Sequence, residues 1–451
     1  MASDGQPSLR SSLAYDESCT DEEIRHLRAQ LQQSRTVPTL TALSTALRRR
    51  FFFGPGRLDD LRESLSLLND TPHPTLEEIG TASLSLHPEI LPTEANWVHW
   101  QPWIEKQGYM LPERLRTNWV PSWIDLPDPT DEFISPDAFG PKSETITDAI
   151  RIADGMRVFF KLCEQSASQE LEIAAFFSSE PRRSDPRNHC YPLLDVLRPP
   201  LLRGKSYHIL VFPLLCPLFE PDPDTVEDML MSIIALAEGL AFMHEHNVAH
   251  QDIHYRNAMM DATFLIPEEW HPWMRSDIVY TKGTKPRPLT VLPRSQVPMK
   301  YCLTDFGMSI RYRSFEARGL VLGTGGLNRT LPEQSNTVPY DPFPADVRMF
   351  GDMLSDWQFV RFPTQSVFAQ LTATQGFLGL DFLDSVVATL RQEVPSLRPT
   401  AAHMVDALRA VTKDRSRFSL QLPLRRRDSL GTPVKVWMKY LARVLSPPFT
   451  S

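Results

Sequence analysis

Apolar positions change their period along this chain. Leu58, Leu61, Leu65 and Leu68 recur at helical spacing, and Thr20 with Glu23 forms a capping-box pattern ahead of Ile24, Leu27 and Leu31. Residues 1–92 therefore read as a helical, partly disordered extension of short helices joined by loops. From residue 145 the texture becomes β-rich: "TITDAIRIADGMRVFFKLC" holds two strand-like runs around Asp154-Gly155, a dipeptide suited to a tight hairpin turn. A helix-like "SQELEIAAFFSS" follows at 168–179, then strand-like "CYPLLDVL" and "YHILVFPLL". Beyond them "TVEDMLMSIIALAEGLAFMHEHN" predicts a helix ending near His246, with Thr225 and Asp228 as its cap. A small β-rich unit thus precedes a mainly helical one.

Composition narrows the function classes. The chain has 451 residues, 42% hydrophobic and 23% charged, enough to bury one large core or several ordinary ones. Its net charge of −8 argues against nucleic acid as the main partner. Cys19, Cys163, Cys190, Cys216 and Cys302 are odd in number and lack CxxC spacing, as in a reducing compartment. The most apolar run, "ILVFPLLCPLF" at 209–219, is short and broken by Pro213 and Pro217, so no membrane span is expected. With no apolar run at the start either, the sequence predicts a soluble intracellular protein, cytoplasmic or nuclear. Five of the nine tryptophans fall within 94–123, a cluster that indole area predicts to be core rather than a ligand platform. "RRRFFFGPG" at 48–56 reads as a helix end followed by a buried corner.

The chemistry concentrates in "AHQDIHYRN", residues 249–257, directly behind the predicted long helix. His250, Gln251 and Asp252, with Asn257 five residues after the aspartate, fit the H-x-D-x-x-x-x-N loop of protein kinases. Asp305-Phe306-Gly307 follows the strand-like "KYCLT", and "VFFK" ends in Lys161 where kinases carry V-A-I-K. Downstream, Leu331-Pro332-Glu333 stands where the activation segment closes with A-P-E. Asp346 opens "DVRMFG" where the next buried helix begins, and Arg398 in "LRPTAAHM" stands where kinases pair an arginine with that glutamate. In these landmarks the chain resembles the protein-kinase superfamily over about 145–410. Through "WIEKQGYMLPERLRTNWVPSW", "SSEPRRSDPRNHCYPLLDVL" and "AHQDIHYRNAMMD" it is further similar to a kinase-like group expanded in basidiomycete fungi.

The resemblance implies an α+β bilobal fold with a reduced β-rich N-lobe at 141–215, a larger helical C-lobe at 216–412, and a Trp-rich segment, 93–140, packing on the N-lobe. It implies ATP and Mg²⁺ as cofactors, with Asp305 and Asn257 as metal ligands, Lys161 on the α/β-phosphates and Asp252 as the acceptor of the substrate proton. Glu172, in an E-I-x-x-F context, is the expected ion-pair partner of Lys161, with Glu170 the neighbour to exclude. The nucleotide hinge is expected at Phe212, Pro213, Leu214 and Leu215, where Pro213 removes one backbone donor. A protein Ser/Thr substrate is the implied partner.

Three departures keep other readings open. No G-x-G-x-x-G precedes the hairpin, Gly140 being the main glycine there, and Gln251 replaces the arginine that answers a phosphorylated activation segment. These favour a pseudokinase acting as a binding or scaffold module. His254, standing where kinases use a phosphate-binding lysine, makes an H-x-D-x-H-x-x-N loop that resembles small-molecule phosphotransferases. Zinc ligation by His244, His246, His250 and His254 would need His250 and His254 on one helix, whereas the resemblance makes that stretch a loop. Thr324 and Thr330 lie near where kinases place a threonine that bonds the catalytic aspartate. An insertion at 262–300, with Trp270 and Trp273, is expected to pack on the C-lobe with few regular elements. The tail, 413–451, carries nine Lys/Arg against two acids; "VKVWMKYLARVL" reads as a helix for an anionic surface or for the acidic body, and "RRRDSLG" offers Ser429 to basophilic kinases.

Overall fold

In the computed structural model the chain is described over residues 90–426, apart from 92, 123–134, 139, 141–142, 166–168, 203, 273–277, 280–286 and 360–376. The capping box at Thr20, the leucine repeat at 58–68, "RRRFFFGPG", Trp273, Ser429 and "VKVWMKYLARVL" lie outside the described residues. What is described is a mixed α+β fold with an antiparallel five-stranded sheet and seven α-helices.

The tryptophan block opens with helix α1 (Ala95–Lys106) and strand β1 (Tyr109–Met110). Strands β2 (Ile146–Arg151) and β3 (Met156–Glu164) form the expected hairpin, with Gly155 at φ +68° in the turn. Helix α2 (Gln169–Phe177) is followed by β4 (Asp195–Leu197) and β5 (Tyr207–Pro213), giving the sheet order β1-β2-β3-β5-β4. Alternation along β3 sorts its side chains: Met156, Val158, Phe160 and Leu162 bury against Trp97, Trp100 and Trp103 of α1, which leaves Lys161 and Cys163 on the other face. The tryptophans are therefore core. Their cluster closes the back of the sheet whose front carries the lysine.

Strand β6 (Cys216–Pro217) leads to α3 (Val226–Glu245), whose Thr225 and Asp228 make the predicted capping box in both directions. Next come β7 (Val248–Ala249) and β8 (Ala258–Met260), with the histidine-rich loop between them. In the insertion, β9 (Ile278–Val279) pairs with β10 (Arg287–Pro288). Leu265, Ile266 and Leu289 of that insertion join the main core, and Arg157 of β3 lies over the Trp270 ring and donates to its carbonyl oxygen at 2.6 Å.

Strands β11 (Tyr301–Leu303) and β12 (Ile310–Arg311) flank Asp305, and β13 (Val321–Gly323) pairs with β14 (Ser335–Tyr340). Helix α4 (Pro342–Phe359), β15 (Phe377–Leu378), α5 (Asp384–Leu390), α6 (Ala401–Lys413), α7 (Arg417–Leu420) and β16 (Arg425–Arg426) complete the helical part. The start of the basic tail is docked: β16 pairs with β15, and Leu422 and Leu424 exchange backbone bonds with the entrance of α3. Among the described residues no helix is long and apolar enough to cross a membrane.

Candidate functional site

Asp346 sits in the first turns of α4, fully buried, and its carboxylate organises the loop between β7 and β8. The Gln251 and His250 backbone N–H groups donate to its two oxygens at 2.7 Å each, and His244 Nε2 lies 3.0 Å from one of them. Gln251 is held in the left-handed region at φ +65°, which turns the chain sharply just before Asp252. Its side chain donates to the Met308 carbonyl at 2.7 Å. His250 is buried: its Nδ1 accepts the Asp252 N–H, its Nε2 lies 3.1 Å from the Thr304 carbonyl, and burial lowers its pKa. Its ring thus ties the loop to the Thr304 carbonyl and to the Asp252 N–H.

The ladder between β8 and β11 pairs Ala258 with Leu303 and bonds the Thr304 N–H to the Asn257 carbonyl at 3.0 Å. Asn257 and Asp305 are thereby carried on neighbouring strand ends. The Asn257 amide group donates to the Asp252 carbonyl oxygen at 2.9 Å and to its Oδ2 at 3.2 Å. Both partners are acceptors, so the NH₂ must face them and Oδ1 is turned away from Asp252. The Asp252 Oδ1 accepts the Leu327 backbone N–H at 3.0 Å. Burial works to raise the Asp252 pKa, but the bonds from His254 and Leu327 outweigh it and hold the carboxyl below the ordinary range.

Asp305 occupies the left-handed region at φ +65° and accepts the Gly307 N–H, while Phe306 turns inward against His250 and Phe177. Lys161 Nζ reaches across from β3 to Asp305 Oδ1 at 2.8 Å and to Glu170 Oε1 at 2.6 Å. Burial disfavours the ammonium, yet the two carboxylates prevail and the lysine pKa is raised. Burial likewise works against the Asp305 carboxylate, and Lys161 overcomes it, lowering that pKa. Cys163, on the same face of β3, donates to Glu170 Oε2 at 3.4 Å.

Glu172 is not the lysine's partner, contrary to the sequence expectation. On α2, Glu170 shares a buried stripe with Ile173, Ala174 and Phe177, whereas Glu172 is turned outward and exposed. The i, i+3, i+4, i+7 spacing of those apolar residues was the available signal; the E-I-x-x-F context points to the wrong acid.

The residues of the expected hinge lie at and just beyond the end of β5. Phe212 to Leu215 do link β5 to β6, but the Leu214 N–H donates to the Arg157 carbonyl and the Pro213 carbonyl accepts the Tyr191 hydroxyl. The Leu214 N–H is thereby engaged, while the Pro213 carbonyl oxygen keeps a second lone pair. Phe212 stacks on Tyr191 with centroids 4.3 Å apart. Gly140 is packed against a buried ion pair: a Cβ there would collide with Glu94, which is bound to Arg114. Strands β1 and β2 are joined by the long segment 111–145 instead of a tight glycine turn.

Two further landmarks meet as expected. Arg398 grips Glu333 with both terminal nitrogens, Nη2 at 2.9 Å from Oε2, and also donates to the Pro344 carbonyl. Among the described residues neither Thr324 nor Thr330 hydrogen-bonds Asp252; Thr330 bonds Asn328, and the Leu327 backbone donates to the aspartate. Nothing in the sequence flagged Leu327, since a backbone donor carries no residue signature. Among the described residues no three His, Cys, Asp or Glu side chains gather into a metal-holding group. Compared with protein-family models and with curated proteins, the sequence matches none.

Proposed function

We propose that this chain is a kinase-like phosphotransferase that moves the terminal phosphoryl group of Mg-ATP to protein serine or threonine hydroxyls. The observation that carries the reading is one run of contacts, Glu170–Lys161–Asp305, brought by the β8–β11 ladder beside a second, Asn257–Asp252. Phosphoryl transfer asks a protein for positioning and charge balance more than for covalent chemistry.

The side chains suit that demand. Asp305 and the Asn257 Oδ1 atom are hard oxygen donors on adjacent strand ends, the ligand type Mg²⁺ prefers, and one carboxylate with one amide leaves room for phosphates and water. When bound, Mg-ATP supplies the phosphoryl group and the divalent charge that steadies its oxygens. Lys161, kept charged by Glu170 and Asp305, positions the α/β-phosphates. Asp252 orients the acceptor hydroxyl and takes its proton late in the transfer, a task its low pKa permits. The Glu333–Arg398 pair, anchoring the segment after Leu327, favours a protein acceptor over a small molecule.

A second reading, a binding module without transfer, draws support from the engaged Leu214 N–H and from the absence of a G-x-G-x-x-G ahead of the hairpin in the sequence. Radiolabel transfer from Mg-ATP to a generic basic protein, run beside thermal-shift titration, separates the two. Asp252→Asn is expected to lower transfer about a thousandfold while keeping the nucleotide shift, and Lys161→Met to lose both. Stabilisation by Mg-ATP without any transfer selects the binding module; an undiminished rate in Asp252→Asn ends the assignment of that residue.

A further inference from the structure

His254 stands two residues beyond Asp252 and caps the short turn Tyr255–Asn257 with its own ring: Nδ1 accepts the Arg256 backbone N–H at 3.1 Å. A ring nitrogen that accepts an N–H bond carries no proton, so the neutral ring must hold its proton on Nε2. That nitrogen lies 3.2 Å from Asp252 Oδ2, in a setting where the two side chains are only 12% and 16% exposed. The ring therefore bridges the loop backbone and the carboxylate, with its donor aimed at the acid.

Asp252 then has three fixed donors. His254 Nε2–H and the Asn257 amide act on Oδ2, and the Leu327 N–H acts on Oδ1. A carboxylate offers about four lone-pair positions, two on each oxygen, so the remaining one is on Oδ1. That oxygen faces Gly326, at φ +84°, where a Cβ would come within 2.7 Å of it. Without a Cβ, the glycine leaves space beside Oδ1.

We infer that His254 is a positioning residue for phosphoryl transfer: a neutral Nε2–H donor that locks the Asp252 carboxylate so that Oδ1 alone meets the acceptor hydroxyl, and not a cation for the moving phosphate. The role deepens, and rests on, the phosphotransferase reading above. A lysine at this position would supply charge but no acceptor for the Arg256 N–H, so the two residue types solve different problems.

Two measurements on the full chain test it. Long-range ¹H–¹⁵N correlation on histidine-labelled protein at neutral pH, with His254 assigned by its loss in His254→Gln, should show the proton on Nε2 and a bare Nδ1. A proton on Nδ1, or on both nitrogens, overturns the inference. In saturating Mg-ATP, His254→Gln, whose amide NH₂ can reach the Nε2 place, should stay within about threefold of the parent kcat, while His254→Leu and His254→Lys fall about a hundredfold with the KM for ATP little changed. A lysine variant as fast as the parent, or a glutamine variant as slow as leucine, overturns it too. A parent chain that transfers no phosphate sinks the phosphotransferase reading and this role together; one that transfers with Nδ1 protonated sinks this role alone.

Discussion

Around Asp252 the partners are backbone and loop groups fixed by the fold, whereas around Lys161 they are single side chains reaching in from separate elements. The Asp252 side is held by Asp346 beneath it, by the β8–β11 ladder behind it and by Leu327 in front. The lysine side rests on Glu170 from α2 and Asp305 from the turn after β11. The contrast teaches that the surroundings of Asp252 are built into the scaffold, while those of Lys161 depend on two ion pairs. Under the proposed function, such a site predicts a precise acceptor end and a modest hold on ATP.

The scaffold side gives the largest expected effect. Asp346→Ala would strand two buried backbone N–H groups and the His244 ring, and each lost bond to a charged acceptor costs about 1–3 kcal/mol, so unfolding free energy should fall by about 4 kcal/mol. Urea denaturation reads this directly. A loss under about 1 kcal/mol would mean that the loop does not depend on the buried carboxylate, and the contrast between the two sides would collapse.

The lysine side answers to a pair of neighbouring acids. Glu170→Gln removes the charge 2.6 Å from Lys161, and transfer activity should drop about tenfold or more with the fold intact. Glu172→Gln, on the exposed stripe of the same helix, should leave activity within about twofold. The reverse ranking would restore the pairing expected from the E-I-x-x-F context and overturn the contact described here.

That reversal shows where the sequence is legible. Motif residues that share a strand or a tight loop, such as Asp252 with Asn257 or Asp305 with Gly307, can be read because covalent spacing nearly fixes their geometry. The hairpin at Asp154-Gly155 and the capping box at Thr225 are legible for the same reason, as local rules with local causes. The choice between Glu170 and Glu172 depends on which helix stripe faces the core, a tertiary matter that motif context misreads and periodicity would have caught. The bond from Tyr191 to the Pro213 carbonyl and the Leu327 N–H on Asp252 have no residue pattern at all. They arise only when distant segments pack.

The smallest expected effect separates the two ends of the scaffold helix itself. Asp346 near the start of α4 is given three donors, whereas Asp356, ten residues on, is pushed up to a pKa of about 6 by burial and by the Asp352 carboxylate, with Arg391 opposing. A carboxyl whose folded pKa exceeds its unfolded value near 3.8 contributes stability in full below that unfolded value and loses it as pH rises through about 6. Asp356→Asn has no such charge to acquire. Because the side chain is partly exposed, solvent screening reduces the effect to about 1 kcal/mol, so the variant should match the parent near pH 4 and melt later at pH 8. Equal melting temperatures at both values would show that Asp356 is relieved by a partner on the helix, and that α4 treats its acids alike whether or not they hold the loop between β7 and β8.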